Sequence, residues 1–304
     1  MLSTMSRHSI MLARLEVWAR ALRLHQWAKN LLLFVPLAAA HRLDDRAALL
    51  AVLLGFIAFG LVASATYVVN DLLDLESDRL HPTKRERPFA SGQLAPRVGW
   101  IGAPLLLAAG FALGHFGVAP GFAAMLGVYL IVTLAYSLRL KRLVMIDTFT
   151  LAALYTLRLM AGAIAAGVPL SFWMLTFSAL VFLSLAMLKR HAELVLWRRQ
   201  DRADVPGRGY VADDALFVAT LGMAAGLSSV LVLALYLNSP EVRALYASPL
   251  ALGLLCPLVL YWISHMWLKA HRGQMHDDPL VFALRDPAST VVGVLAALVV
   301  WAAR

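Results

Sequence analysis

Residues 70 to 92 hold the densest set of groups able to do chemistry. They read Asn70-Asp71-Leu-Leu-Asp74-Leu-Glu76-Ser-Asp78-Arg79-Leu-His81-Pro82-Thr-Lys84-Arg85-Glu-Arg87-Pro88-Phe89-Ala-Ser-Gly92. On a helix, Asp71, Asp74 and Asp78 fall at i, i+3 and i+7 on one face, and Asn70 and Asp74 are i, i+4 neighbours. Three carboxylates within two turns repel one another unless a cation sits between them. They offer hard oxygen ligands with no histidine or cysteine among them, which selects Mg2+, or Mn2+ in its place, over zinc. Mg2+ keeps several waters and takes one or two carboxylates plus phosphate oxygens, so the pattern implies a phosphorylated substrate. Acids at the C-terminal end of a helix oppose the macrodipole, and a solvated acidic terminus is the plain alternative. Arg79, Lys84, Arg85 and Arg87 follow at once, supplying cations for phosphate oxygens. Alone, such a cluster would serve as an anchor for anionic lipid headgroups. Pro82 and Pro88 restrict the loop that carries them.

The elements that position this segment are hydrophobic. Of 304 residues, 61% are hydrophobic and 15% charged, where a soluble domain carries roughly 25% charged residues. Mean hydropathy is +0.74. About nine apolar stretches approach the ~20 residues needed to cross hydrocarbon, near 24–41, 47–70, 98–117, 121–138, 145–166, 171–190, 213–237, 247–269 and 286–303. Lys and Arg alternate across them, with 22 on the side of the N-terminus and 4 on the other, and Arg158 within a stretch. The positive-inside rule then predicts an inner-membrane protein with its N-terminus in the cytoplasm and its C-terminus outside. The net charge of +9 is thereby explained without nucleic acid as a partner. Cys256 stands alone, which excludes a disulfide framework. The first apolar stretch ends on no small-residue cleavage site, so a retained segment is expected. The long, charged connections lie on the cytoplasmic side, where function is expected.

The pattern Asn70-Asp71-x-x-Asp74-x-x-x-Asp78, followed by Lys84-x-x-Arg87-Pro88-x-x-x-Gly92, resembles the first signature of the UbiA-type intramembrane prenyltransferases. The resemblance extends over essentially the whole chain. It implies an all-α polytopic membrane protein, with about nine transmembrane helices around a central cavity open to the cytoplasmic face. Residues 1–304 would form one domain, with a cytoplasmic amphipathic lead at 1–23 and cytoplasmic loops at 71–97, 139–146, 190–212 and 270–286. Members that use prenyl diphosphates usually carry a second motif, Asp-x-x-x-Asp, after the fourth span. Here Asp147 remains, but Leu151 occupies the other acidic position.

Further pieces resemble the polyprenyl-phosphate phosphoribosyltransferases, the group of decaprenyl-phosphate phosphoribosyltransferase. They are Leu24-x-Gln26-Trp27-x-Lys29-Asn30, Asp78-Arg79-x-His81-Pro82-x-Lys84, Asp147 with Leu157-Arg158, Lys189-Arg190-x-Ala192-Glu193-Leu194, Gly209-Tyr210 and Arg285-Asp286. This resemblance implies transfer of 5-phosphoribose from phosphoribosyl pyrophosphate to a polyprenyl phosphate in the bilayer. Asn70, Asp71, Asp74 and Asp78 are the expected metal ligands, and Asp74, Asp78, Lys84 and Arg87 the expected catalytic residues. Arg79, Lys84, Arg87, Lys141, Arg158, Lys189 and Arg190 are the candidates for donor phosphates. Lys29, Asn30, His81, Tyr136, Asp147, Glu193 and Tyr210 are accessory candidates.

Plainer readings stand beside these. Asp147 and Arg158 are eleven residues apart, about three helical turns, and share a face of the fifth span. Lys189 and Glu193, at i, i+4, have the spacing of an ion pair. Trp27 has the character of an interfacial aromatic anchor. His265, His271 and His276 lack metal-ligand spacing and read as interfacial. A prenyltransferase acting on an aromatic or other small acceptor uses the same first motif. A non-catalytic transporter or lipid-binding scaffold is the third reading, and a homo-oligomer is compatible with all three.

Overall fold

The computed structural model describes residues 7–81, 83–199, 209–275 and 278–303, with side chains from residue 14 onward apart from Glu241. Pro82, His276 and residues 200–208 of the expected 190–212 loop therefore lie outside the described residues, while the start of that loop, as far as Arg198, is helical. Among the described residues the chain is helical, with no β-sheet. The helices are α1 (Arg7–Ala21), α2 (Val35–Ala39), α3 (Arg46–Leu73), α4 (Leu75–Leu80), α5 (Pro96–Ala112), α6 (Pro120–Leu138) and α7 (Ile146–Ala166). They continue as α8 (Phe172–Arg198), α9 (Ala215–Leu237), α10 (Pro240–Leu245), α11 (Leu255–His271), α12 (Pro279–Arg285) and α13 (Pro287–Ala302).

Among the described residues, seven helical stretches are long and apolar enough to cross a membrane: Arg46–Leu73, Pro96–Val118, Pro120–Leu138, Ile146–Ala166, Phe172–Arg198, Ala212–Leu237 and Pro249–His271. An eighth is reached if α12 and α13, bent by 81°, count as one. The expected count of nine is not met by these helices. The difference lies at 24–41, which is a 3-10 helix over Leu24–Phe34 followed by the short α2. Its path is still about 30 Å, because a 3-10 helix rises ~2.0 Å per residue and an α-helix ~1.5 Å. Hydropathy registers the apolar length but not the winding.

The chain divides into two compact units, residues 1–137 with 158–169, and 138–157 with 170–304. In the first, α3 starts at Asp45, whose carboxylate accepts the Ala47 and Ala48 N–H groups, both at 3.0 Å. α3 packs on α5 and on the 3-10 segment. Its buried face is rich in small residues (Gly55, Ala58, Gly60, Ala63, Ala65), which lets neighbouring backbones approach without voids. In the second unit α8 and α9 form the most extensive pairing. Ser171 caps α8 by accepting the Met174 N–H at 3.0 Å, and the Trp267 indole N–H donates to Ser184 at 3.1 Å, fastening α11 to α8. Asp286 makes the bend before α13, accepting from the Ser289 N–H at 2.8 Å and contacting His265 Nε2 at 3.1 Å. His265 thereby takes part in the cap of α13.

Gly162 on α7 faces the backbone of Leu33, whose Cα and carbonyl carbon lie 2.7 Å from where a Cβ would sit. Neither atom can move alone. Gly162→Ala should therefore displace the 3-10 segment and cost about 1–3 kcal/mol. Thermal unfolding in detergent would show a lowered midpoint with native helix content. Melting at the wild-type temperature would mean that the segment is not seated there.

Candidate active site

The acidic run does not form one continuous helix. α3 ends at Leu73, and Asp74 adopts φ −90° and ψ 7° before α4 restarts the chain. The Asp74 N–H still donates to the Asn70 carbonyl at 3.0 Å, and the Asp78 N–H to the Asp74 carbonyl at 2.8 Å. Asp71 and Asp78 turn inward and are 3% and 1% exposed. The Arg87 guanidinium joins them, donating through Nη1 to Asp78 Oδ2 at 2.6 Å and to Asp71 Oδ1 at 3.2 Å. Arg23 donates to the same Asp71 oxygen at 2.6 Å. It reaches that position from a left-handed backbone at φ 50°, with its guanidinium 4.7 Å from the Tyr67 ring centroid.

These contacts show how the acids are held. The carboxylates are held by arginines rather than gathered about one point, and no three acidic, histidine or cysteine side chains converge as a metal site among the described residues. Arg87 is a bridge between acids before it is a phosphate ligand. The donor set nevertheless suits a hard divalent cation. Asp78 Oδ1 is buried without a hydrogen-bond partner. Asp74 and Asn70, both half-buried, make no side-chain hydrogen bond or ion pair among the described residues. Arg23 was not foreseen, since 48 residues separate it from Asp71 and no local spacing signals the pair.

The basic loop is fastened by its apolar residues. Phe89 is fully buried against Ala65, Val68 and Leu72 of α3 and Ala103 of α5. The Leu94 N–H donates to the Pro88 carbonyl at 3.0 Å, closing the turn. His81 is exposed, and its Nδ1 accepts from the Thr83 and Lys84 N–H groups at 3.3 Å, so it shapes the loop. Arg79 and Lys84 are exposed and form no ion pair among the described residues. Trp27 is half-buried against α3. Its indole lies over Gly60, where a Cβ would meet the ring at 2.6 Å, and its N–H donates to Ser64 Oγ at 3.0 Å.

Arg158, 5% exposed, donates to Asn30 Oδ1 and to the Tyr129 hydroxyl, both at 3.1 Å. It lies over the Phe59 and Tyr129 rings at 5.2 and 4.8 Å. The Asn30 amide nitrogen is buried without a hydrogen-bond partner. Lys29 and Tyr136 are half-buried.

The second unit carries a separate polar cluster. Asp147 and Arg190 are both fully buried. Arg190 donates through Nε and Nη2 to Asp147 Oδ2 at 2.9 and 2.6 Å, and through Nη1 to Glu193. Arg190 is therefore a counterion and not an open phosphate ligand. Asp147 and Arg158, although on one helix, have different partners. Lys189 pairs with Asp278 at 3.3 Å, and Asp278 also accepts from the Tyr155 hydroxyl at 3.0 Å. His271 stacks on His191 at 6.4 Å. The Tyr210 hydroxyl donates to Asp147 Oδ1 at 2.7 Å. Burial first, and then Asp147, pushes the Tyr210 phenol up to about 12. Lys141 is half-buried.

Residues 31–285 match the UbiA prenyltransferase family. The chain belongs to this family. A UbiA homolog from Archaeoglobus fulgidus, in a structure bound to GPP and Mg2+, superposes with a TM-score of 0.68 at 17% identity, covering 93% of this chain and 96% of that one. The shared architecture is the polytopic UbiA fold. The protein y4nM of Sinorhizobium fredii is 42% identical over 92% of this chain, which spans only 54% of that longer protein. Nodulation protein NoeC of Azorhizobium caulinodans is 39% identical over 90% of this chain and 89% of its own length. Decaprenyl-phosphate phosphoribosyltransferase of Corynebacterium glutamicum is 40% identical over 59% of this chain and 55% of its length. As a UbiA family member, the chain is a multi-pass membrane transferase.

Arg87→Ala would leave Asp71 and Asp78 buried with their strongest shared donor removed. A loss of about 3–5 kcal/mol is expected. Neutralising one acid, in Arg87→Ala with Asp78→Asn, should recover part of it in detergent melts. Equal melting of Arg87→Ala and wild type would remove the bridge from the account. For Tyr210, the folded state keeps its proton where an unfolded tyrosine ionises. Its contribution is complete below pH 10 and is lost between 10 and about 12. Tyr210→Phe should abolish that part of the alkaline stability decline, which unfolding titrations of both proteins would resolve.

Proposed function

We propose that the chain transfers 5-phosphoribose from phosphoribosyl pyrophosphate to a polyprenyl phosphate, with release of pyrophosphate and dependence on Mg2+. The observation that carries this reading is the commitment of Asp147. Both of its carboxylate oxygens are engaged, by Arg190 and by Tyr210, and Leu151 stands at the other acidic position. The acids suited to a metal are thus those of the first motif alone. Similarity to the corynebacterial decaprenyl-phosphate phosphoribosyltransferase supports the same donor and acceptor.

Asn70, Asp71, Asp74 and Asp78 would hold the metal, with Mn2+ an acceptable substitute. A divalent ion held there would supply positive charge to offset that of the pyrophosphate leaving group. Arg87 keeps Asp71 and Asp78 in place, while Lys84 and Arg79 are the cations available to the diphosphate oxygens. The bond from the anomeric carbon to pyrophosphate breaks, and a bond to the lipid phosphate oxygen forms. That oxygen is already anionic at neutral pH, so no general base is needed. The positive-inside count supports placing this end on the cytoplasmic face of an inner membrane, where soluble sugar phosphates are available.

A prenyl diphosphate donor is the second reading, favoured by the family's name and by GPP in the archaeal neighbour. Membranes containing the protein, given ribose-labelled phosphoribosyl pyrophosphate, Mg2+ and polyprenyl phosphates of several lengths, should accumulate label in lipid. Asp74→Ala should lower the rate by about 100-fold or more. Absence of labelled lipid, with Asp74-dependent consumption of prenyl diphosphate, would decide for the second reading.

A further inference from the structure

We propose that the groove between α8, α9 and α11 retains one anionic phospholipid, with a chain on its apolar floor and the phosphate at Arg199 and Arg272. The proposal stands apart from the ribose-transfer reading, and its test requires no turnover.

The groove has a volume of about 370 Å3, and its lining includes His191 of α8, Met223 and Leu227 of α9, and Ser264, Trp267 and His271 of α11. It faces away from the Lys189–Asp278 pair, because His191 stands two residues, or about 200°, round α8 from Lys189. Its floor is fixed. The Trp267 indole donates to Ser184 at 3.1 Å, and one of its ring carbons lies 2.6 Å from where a Cβ on Gly222 would sit. The Ser264 hydroxyl donates to the Leu260 carbonyl at 2.8 Å, so it is satisfied within its own helix. His191 belongs to the wall. Its Nδ1 is 3.0 Å from the Ala215 carbonyl, which can only accept, and its ring lies 5.7 Å from Trp267 and 6.4 Å from His271. Met223 and Leu227, 42% and 53% exposed, leave the side of the groove open. From Ser264 to His271 it follows seven residues of α11, ~10 Å of rise. Over that length the volume gives a cross-section of about 40 Å2, far less than a helix 10–12 Å across would fill. A hydrocarbon chain fits where a helix does not.

Cations stand at the mouth. Arg199 donates through Nη2 to the Arg272 carbonyl at 3.0 Å. Its guanidinium carbon lies 2.7 Å from where a Cβ on Gly273 would sit, and Gly273 has a φ of 69°. Arg272 directly follows His271, which lines the groove. Both arginines are exposed and form no ion pair among the described residues. A cation at a helix C-terminus is favourable, which accounts for Arg199 alone. Charge bias between loops accounts for the sign of Arg272 but not for its place at the head of an apolar groove. In a bilayer some chain fills the groove whatever its headgroup. The two guanidiniums choose among headgroups, since basic pockets between membrane helices hold anionic lipid. Their planar forks match phosphate oxygens. A phosphate held there would join the end of α8 to the end of α11.

The full-length protein in detergent should be titrated with dioleoyl phosphatidylglycerol and dioleoyl phosphatidylcholine, which share their chains and differ in headgroup charge. Native mass spectra should show one phosphatidylglycerol retained with about 10-fold higher affinity. Arg272→Gln, an exposed change, should lower that preference about 3-fold, and Arg199→Gln with Arg272→Gln should abolish it. Met223→Trp should fill the floor and weaken retention of both lipids. Equal retention of both lipids by the wild type, an unchanged preference in Arg272→Gln, or undiminished retention by Met223→Trp would each overturn the proposal. So would displacement of the bound phospholipid by equimolar geranyl phosphate, which would assign the groove to an isoprenoid phosphate instead.

Discussion

Two carboxylates buried at the end of a membrane helix cannot stand side by side without a cation, and Arg87 supplies one. Its bond to Asp78 and its longer contact with Asp71 tie α4 and the basic loop to the last turn of α3. Removing charge from water costs several kcal/mol per ion unless it is paired. The pairing therefore dictates where the loop must go. Phe89 adds an apolar contact that water-exposed charges could not provide. With the loop seated, Lys84 and Arg79 project outward, and Asp74 is left at the break between the helices. The same residues that resemble a metal-diphosphate motif thus have a structural duty to one another. Arg23 extends that duty to the N-terminal segment.

The second polar cluster solves a similar problem differently. Asp147 is fully buried and surrounded by donors, so its charge is balanced inside the protein. A carboxylate so satisfied has no reason to recruit a metal. The two clusters share residue types and differ in what remains unsatisfied. At the first, Asp78 Oδ1 lacks a partner and Asp74 is uncommitted. At the second, the unbalanced charges belong to the turn 139–142 and not to the acid. This difference could not be seen in the acidic spacing, which marks both Asp74 and Asp147 only as acids near span ends.

The helical class and most spans were legible because hydropathy and the lipid requirement for internally satisfied backbone leave few alternatives. The stretch 24–41 was harder. Its apolar length suggested an ordinary span, but the chain winds as a 3-10 helix before α2. The continuous acidic helix was also too simple, since the backbone turns at Asp74. Lys189 has the spacing to meet Glu193, but its contact with Asp278, which lies 89 residues away in sequence, carries no local signal. Trp27 had the character of an interface residue, yet Gly60 offers it a seat on α3.

The Asn70–Gly92 pattern, the alternation of positive charge and the leucine at position 151 in place of a second acid are properties of the sequence by itself. They suffice for the family, for a membrane-embedded chain and for an acidic segment suited to a metal-bound diphosphate. Local spacing carries that information because neighbours along a helix share a face and because charge bias follows the loops. Which charge meets which was decided by tertiary structure alone. Arg23 and Asp71, Arg190 and Asp147, and Tyr210 and Met145 are distant along the chain. Burial compels each of these polar groups to find a partner, and only the packed helices determine which one is within reach.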